Sequence, residues 1–255
     1  MEILGLDIGG TGIKGAIVDT DTGNLITERY RQLTPQPSTP DNIAMAIKEI
    51  VKKLNYTNDI IGMGFPTLIR HGIAQYATNI DNSWIGVDIG KKLEQLTGYK
   101  YYVANDADTA GLAEAVFGSK TIEKGLVIFL TIGTGIGSAL IFDGKLIPNS
   151  ELGKIQFKNM EAEKYASNKT RKAKDMSWKT FGKRLNAYLK YLDMLFSPQM
   201  FILGGGVCKK MDKYQEYIKI DVPVVQSEFL NAAGVIGAAY FAAEEIKSKQ
   251  LNTEK

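Results

Sequence analysis

The hydrophobic positions of this chain alternate between two periods, and the alternation outlines its elements. Ile3 to Leu6 and Ala16 to Val18 are short apolar runs of strand type, joined by the glycine-rich turn Asp7-Ile-Gly-Gly-Thr-Gly-Ile-Lys14. Asp21-Thr-Gly-Asn24 reads as a hairpin turn, and Leu25 to Arg31 continues in strand pattern. Thr34 to Pro40 holds three prolines and predicts a loop. The loop ends in a helix start, with Thr39 as N-cap and Pro40 in the first turn. Ile43, Ile47, Ile50, Val51 and Leu54 then fall on one helical stripe. Ile60 to Phe65 predicts a buried strand, Thr78 to Trp84 a polar loop, Tyr99 to Ala104 a further strand and Thr109 to Phe117 a helix.

The opening pattern then recurs. Leu126 to Thr131 is a strand, Gly133-Thr-Gly-Ile-Gly137 a glycine turn, Ser138 to Phe142 a second strand and Asp143-Gly-Lys145 a hairpin. The two copies lie roughly 125 residues apart, too long a period for a solenoid and right for a duplicated domain. The pattern therefore predicts two similar α/β domains, each turning a glycine loop toward a shared cleft. Ser177 to Phe196 is an amphipathic helix with Trp178, Phe181, Leu185, Leu189 and Leu192 on its core stripe. Met200 to Leu203 is a strand running into Gly204-Gly-Gly206, and Asn231 to Glu245 a small-residue helix suited to close packing on a sheet. We expect a first domain of residues 1–106 joined by 239–255, and a second of residues 107–238.

Composition narrows the class. The chain is 44% hydrophobic and 23% charged, the balance of a globular protein able to bury a core. It has no apolar run of membrane-spanning length, and its first residues begin a strand without a signal peptide's basic segment and apolar core. A cytoplasmic protein with no membrane partner is expected. The lone Cys208 excludes an internal disulfide and a cysteine-based structural zinc. The lone His71 lies between Arg70 and Gly72 in a predicted hairpin, so a catalytic base here would be a carboxylate. The net charge of +3 is uneven: Lys158 to Lys190 holds ten Lys/Arg against three Asp/Glu, leaving −4 for the remainder. Such a block is either a solvated helix face or a polyanion site.

Three groups of residues carry candidate chemistry. In Asp7-Ile-Gly-Gly-Thr11, Gly9 and Gly10 would let backbone N–H groups approach phosphate oxygens, and Asp7 could hold Mg²⁺ directly or through water. Alone, the segment reads equally well as a β-turn with no ligand. Thr131-Ile-Gly-Thr-Gly-Ile-Gly-Ser138 is a second loop of the same character at the matching place in the repeat. Neither loop has the Gly-Lys-Ser/Thr ending of a Walker loop, and each leads into a strand rather than the helix of a dinucleotide fingerprint. Asn105-Asp106 at a strand end would put a carboxylate in the cleft, with Asp106 as base and Asn105 bonding neighbouring hydroxyls; helix capping is the simpler role for the pair.

The motifs Asp7-Ile-Gly-Gly-Thr-Gly-Ile-Lys-Gly15, Asn79-Ile-Asp-Asn-Ser-Trp-Ile-Gly86, Asn105-Asp-Ala-Asp-Thr-Ala-Gly-Leu-Ala-Glu114, Gly133-Thr-Gly-Ile-Gly-Ser-Ala-Leu140, Asn149-Ser-Glu-Leu-Gly153, Tyr165-Ala-Ser-Asn168 and Gly204-Gly-Gly-Val207 follow one another over nearly the whole chain. In this series the chain resembles the ROK family of sugar kinases, and its polyphosphate glucokinase branch in particular. The resemblance implies an actin/hexokinase-like (ribonuclease H-like) fold of duplicated α/β domains around a central cleft, usually as a homodimer. It implies Asp106 as the base for the sugar hydroxyl, with Asn105, Glu151 and Glu163 bonding the sugar and Asn79 a lesser contact. Asp7, Gly10, Thr11, Lys14, Thr131, Gly133, Thr134 and Gly135 would surround the transferred phosphate and Mg²⁺. Gly205 and Gly206 would line the path of a nucleotide or of polyphosphate.

Two departures stand out. The cysteine-rich zinc motif of many ROK kinases is missing ahead of Glu163, as in the polyphosphate branch. Lys154 stands where the family has a sugar-contacting histidine after Glu151-Leu-Gly153. An ammonium donates but cannot accept; it could bond a sugar hydroxyl, pair with Glu163 or turn to solvent. Loss of one buried hydrogen bond costs about 1–3 kcal/mol, roughly ten- to a hundredfold in affinity. The expectation is a hexose kinase that phosphorylates the 6-hydroxyl of glucose from polyphosphate, ATP or both, with Lys169, Arg171, Lys172, Lys174, Lys179, Lys183 and Arg184 as the polyphosphate patch. An ATP-dependent kinase of another hexose or amino sugar, and a weakly active or non-catalytic sugar-binding paralogue, are the alternatives. Without an N-terminal helix-turn-helix segment no nucleic-acid partner is expected.

Overall fold

The structure is a computed structural model that describes residues 1–77, 79–118 and 124–253. Thr78, the first residue of the predicted polar loop, and residues 254–255 of the first domain lie outside the described residues. The chain divides into one compact unit of Met1–Ala113 with Ala232–Lys255 and another of Glu114–Asn231. The boundaries fall inside helix α3 (Asp106–Phe117) and just ahead of helix α7 (Ala233–Thr253).

The first unit begins with β1 (Glu2–Ile8), β2 (Ile13–Asp19) and β3 (Tyr30–Gln32), followed by α1 (Pro40–Lys53) and β4 (Ile60–Phe65). A small hairpin of β5 (Ile69–Arg70) and β6 (Ile73–Ala74), then α2 (Ile89–Thr97) and β7 (Lys100–Asn105), complete it before α3. Its sheet runs β3-β2-β1-β4-β7, with the first three strands antiparallel and β1, β4 and β7 parallel. The second unit comprises β8 (Leu126–Ile132), β9 (Ile136–Phe142), β10 (Lys145–Ile147), the hairpin β11 (Gln156–Phe157) and β12 (Met160–Glu161), α4 (Ala162–Ala166), α5 (Asn168–Ala173), α6 (Trp178–Phe196), β13 (Met200–Gly204) and β14 (Val224–Gln226). Its sheet runs β10-β9-β8-β13-β14 with the same directions. The repeat read from the two glycine turns is thus a repeat of whole five-stranded sheets.

Local chemistry explains the elements. Thr39 caps α1 by accepting from the Asn42 N–H, and Pro40 opens the helix. The apolar stripe Ile43, Ile47, Ile50 and Val51 is buried against Leu4, Leu6 and Ile61 of the sheet. The second unit repeats the scheme with α6, capped by Ser177, whose Phe181, Leu185, Leu189 and Leu192 join Ile128, Leu130, Phe201 and Leu203. Tyr188, absent from the predicted stripe, is also buried, and its hydroxyl donates to the Leu152 carbonyl at 3.0 Å. The predicted strand Leu25–Arg31 is shortened to Tyr30–Gln32. Thr27 Oγ1 accepts the Ile17 N–H at 3.0 Å, so a side chain takes the place of a ladder carbonyl. Helix α2 was not anticipated, although Asp88 caps its start and Gly98, at φ 85°, ends it.

Helix α7 packs its backbone directly on the first sheet. A Cβ on residue 5 would stand 2.0 Å from the Val235 carbonyl oxygen, and one on residue 62 would stand 2.0 Å from that of Ala238. Only glycine at these two strand positions admits the helix backbone. Gly62→Ala is therefore expected to cost about 1–3 kcal/mol, the usual penalty for overpacking a core. A lowered denaturant midpoint at unchanged slope is the expected result; an unchanged midpoint would mean that α7 can lift away freely.

Candidate functional site

In the first unit the candidate residues gather at the C-terminal ends of parallel strands, where open α/β sheets bind ligands. Asp7 on β1 lies opposite Gly64 on β4, which lies opposite Ala104 on β7. Asp106 follows two residues later. A Cβ on Gly64 would stand 3.4 Å from the Asp106 Cα and 2.6 Å from Thr109 Oγ1, so glycine there lets α3 start close to the sheet. Asn105 holds that start: its Oδ1 accepts the N–H groups of Ala107 (2.8 Å) and Asp108 (3.3 Å), and its Nδ2 donates to the Thr67 carbonyl (2.9 Å). Asn105 thus does cap the helix, with one amide proton beyond these contacts. Asp106 Oδ1 accepts the Ala107 N–H at 2.9 Å.

The first glycine turn is braced from several sides. The Gly9 N–H donates to the Gly12 carbonyl at 3.1 Å, Thr34 Oγ1 donates to the Gly9 carbonyl at 2.5 Å, and Arg31 Nη2 donates to the Thr11 carbonyl at 3.3 Å. Asn79 reaches the turn by its backbone: a Cβ on residue 10 would stand 2.9 Å from the Asn79 carbonyl oxygen. The Asn79 loop is anchored by Trp84, whose Nε1 donates to the Ser38 carbonyl at 2.8 Å and whose ring meets Phe65 edge-on. Lys14 Nζ pairs with Asp7 Oδ2 at 2.5 Å. Gly234, which the sequence reading passed over, makes room for that carboxylate, since a Cβ there would stand 2.9 Å from Asp7 Cγ.

No cluster of three or more His, Cys, Asp or Glu side chains able to hold a metal occurs among the described residues. Mg²⁺ is commonly held by one or two carboxylates with substrate phosphates and water. Asp7, a carboxylate beside a phosphate-type turn with Oδ1 outside the Lys14 pair, fits that donor set.

The second unit places its candidates around the other glycine turn. Thr131, next to last in β8, lies opposite Gly204 of β13 and Gly137 of β9, and the Gly133 N–H donates to the Gly135 carbonyl at 3.0 Å. Thr134 is exposed. Gly205, at φ 78°, packs where a Cβ would stand 2.7 Å from the Ile132 backbone, and Gly206 beside it is exposed. Glu151 precedes a short 3₁₀ turn that Ser138 holds in place, its Oγ donating to the Ser150 carbonyl (2.7 Å) and accepting the Leu152 N–H (2.9 Å).

Glu163 and Gly135, assigned to different ligands by the sequence reading, are neighbours. Glu163 Oε2 accepts the Ile136 N–H at 3.3 Å, and a Cβ on residue 135 would stand 2.3 Å from that oxygen. Its other oxygen, Oε1, accepts from Lys154 Nζ. Of the fates open to Lys154, the structure selects pairing with Glu163, with Glu161 Oε2 3.9 Å away. The hydrogen bond to Glu163 raises the Lys154 pKa above the ordinary 10.5.

The basic block has two kinds of member. Arg171 stacks on the Trp178 ring at 4.1 Å and donates to Asn168 Oδ1 and the Met176 carbonyl; Arg184 stacks on Tyr165 at 4.7 Å and donates to the Tyr165 carbonyl. Both arginines hold local structure. Lys169, Lys172, Lys174, Lys179 and Lys183 are exposed. The block joins the second glycine turn through the Lys169 N–H, which donates to the Gly133 carbonyl at 3.1 Å.

Sheet order, turn and helix placement in both units define the actin/hexokinase-like α/β class. The ROK family model matches residues 3–162, and the chain belongs to the ROK family. It is 41% identical over 236 residues to a polyphosphate glucokinase of Mycobacterium tuberculosis, covering 92% of this chain and 89% of that protein. A polyphosphate glucokinase of Mycobacterium leprae is 38% identical over 243 residues, covering 95% and 75%. Among solved structures, an inorganic polyphosphate/ATP-glucomannokinase from Arthrobacter sp. strain KM superposes with TM-score 0.88 at 43% identity, covering 96% of this chain and 99% of the other. A ROK family glucokinase from Streptomyces griseus, in complex with glucose and AMPPNP, shares the fold at TM-score 0.81 and 24% identity, covering 96% and 100%.

The contact between Gly135 and Glu163 generates a prediction. A methyl group at 135 meets the mobile end of a side chain rather than backbone, so Gly135→Ala should fold normally with Glu163 pushed aside. Lys154 then loses the partner that raises its pKa, and its Nζ should titrate closer to 10.5 in ¹⁵N NMR. An unchanged titration would show that Glu163 keeps its place.

Proposed function

We propose that this chain is a glucokinase that moves a phosphoryl group from polyphosphate or ATP to the 6-hydroxyl of glucose. The observation that carries the reading is the placing of Asp7 and Asp106 at one strand-end edge of the first sheet, beside a braced glycine turn. The polyphosphate glucokinases at 38–41% identity over most of the chain support the same activity.

In this reading Asp106 accepts the proton of the glucose 6-hydroxyl as its oxygen bonds to the terminal phosphorus of the donor. The bond from that phosphorus to the bridging oxygen breaks, releasing ADP or a polyphosphate one unit shorter. Asn105 fixes the start of α3, and so the base, through its helix cap. Glu151 and Glu163 accept from sugar hydroxyls, with Asn79 a lesser contact. Gly9, Gly10, Thr11, Lys14, Thr131, Gly133, Thr134 and Gly135 receive phosphate oxygens, and Gly205 and Gly206 border the rest of the donor. Asp7 would hold Mg²⁺ together with the donor phosphates, and the ion when bound would supply neutralisation of charge on the transferred group. The reading carries with it the cytoplasmic location and homodimeric state implied by the family.

Polyphosphate use is favoured by the backbone hydrogen bond that ties Lys169, an exposed lysine of the block, to the second glycine turn. A chain of phosphates gains from repeated lysine contacts, and each contact adds to its salt dependence. The alternatives, an ATP-dependent kinase of another hexose or amino sugar and a sugar-binding paralogue with little turnover, draw on Lys154 standing in the sugar-side cluster.

Two measurements test the proposal. Asp106→Asn should lower kcat for glucose by about 10²–10⁴-fold, the usual worth of a general base, while glucose still binds. Undiminished turnover in that variant would remove Asp106 from the mechanism. Reversing Lys172, Lys174 and Lys179 to Glu should raise the KM for polyphosphate more than about tenfold, flatten its salt dependence and move the KM for ATP far less. Equal effects on both donors would reduce the block to a solvated helix face.

A further inference from the structure

Lys154 and Glu163 close the base of a small structural loop. Lys154 ends the 3₁₀ turn Leu152–Lys154, Glu163 lies in the first turn of α4, and the hairpin β11–β12 stands between them. The Ala162 N–H donates to the Ile155 carbonyl at 3.0 Å, so backbone already joins the two ends. The ion pair is therefore more than the loop needs to close. Its charges are arranged in a row: Lys164 Nζ lies 3.3 Å from Glu161 Oε1, Lys154 Nζ lies 3.9 Å from Glu161 Oε2, and Lys154 bonds Glu163 Oε1.

Each oxygen of Glu163 has a separate holder. Oε2 rests on the Ile136 N–H and against Gly135, which ties the carboxylate to the second glycine turn. Oε1 has Lys154. Without Lys154 the carboxylate would be fixed at one oxygen only, at 3.3 Å, and free to swing about its side-chain torsions. An ammonium has three protons; the carboxylate takes one and Glu161 lies near a second.

Resting on the glucokinase reading, we propose that Lys154 is a positioning residue for Glu163. It holds that carboxylate against the second glycine turn, and the joined pair offers one sugar hydroxyl both a donor and an acceptor. Sugar affinity then depends on the pair, while transfer itself, which needs Asp106 and the phosphate turns, does not. The ammonium also sets a pH property. Its raised pKa keeps it charged through the neutral range, and on the alkaline side the pair is lost as pH climbs through that raised value. A histidine in its place would change charge near its ordinary value of about 6.5.

The test is steady-state kinetics with glucose and each donor, alongside calorimetric glucose binding, for the wild type and for Lys154→Met, Lys154→Arg and Lys154→His. The expected result is a KM and a Kd for glucose raised at least tenfold in Lys154→Met, with kcat changed less than threefold. Arg should recover most of that loss. The His variant should show a new step in glucose KM between pH 6 and 7 that the wild type lacks. An unchanged glucose KM and Kd in Lys154→Met, with an active wild type, would overturn the proposal. Equal losses in kcat and KM, unrescued by Arg, would overturn it too, by reducing the pair to a structural clasp. A wild type that neither binds nor phosphorylates glucose would instead defeat the glucokinase reading, and this inference with it.

Discussion

Helix α7 lies on the first sheet with backbone against backbone, and much of the molecule's order follows from that approach. The helix follows the whole second unit in sequence, yet it packs on β1, which precedes that unit. A Cβ at Gly5 or Gly62 would intrude on its carbonyls, and one at Gly237 would stand 1.7 Å from the carbonyl of Thr109 in α3. Glycines therefore set how closely the sheet, α3 and α7 approach one another. Such spacing leaves little tolerance, because a packed interior cannot absorb an added methyl without moving something. It also fixes the start of α7, where Gly234 borders the Asp7 carboxylate. A constraint on packing thereby becomes a constraint on the chemistry at the strand ends.

The second unit solves the same topological problem with different means. Its glycine turn is flanked by the Glu163 carboxylate in the first turn of α4, and serine side chains do much of the fastening. Ser138 and Ser150 exchange hydrogen bonds across the segment that leads to Glu151. Arg171 and Arg184, charged residues in a basic block, are engaged with rings and carbonyls, so the electrostatic character of that surface rests on its lysines. The distinction matters physically: stacked guanidinium groups buy order for the helices α4 to α6, whereas extended ammonium groups remain available to solvent and to anions.

Much of this was legible in the sequence where the physics is local. Thr39-Pro40 announced α1, the spacing of Ile43, Ile47 and Ile50 gave its buried face, and the recurrence of strand, glycine turn and strand revealed the duplicated sheets. The pattern was silent where a side chain acts at a distance. Thr27 replaces a strand partner of Ile17 from ten residues away, and nothing in the periodicity of Leu25–Arg31 records it. The pairing of Gly135 with Glu163 depends on how α4 lies beside β9, which local pattern does not encode. Helix α2 was different: Asp88 and Gly98 were readable as a cap and a stop, but its short apolar stripe of Ile89 and Leu93 was too sparse to stand out. Trp84 as the anchor of the Asn79 loop belongs to the same group, since one buried ring leaves no periodic trace.

Glu114 is buried on α3, and its carboxylate accepts from Ser227 Oγ and from the N–H groups of Glu228 (2.8 Å) and Phe229 (2.9 Å). Those partners stand a few residues before the chain leaves the second unit, and Glu114 is the first residue after it arrives. The second unit is thus a segment whose two ends are fastened together by a single side chain. In terms of inheritance it has the form of an insert, a module whose beginning and end lie side by side, the arrangement in which a domain can be spliced into or lifted out of a host chain with least disturbance.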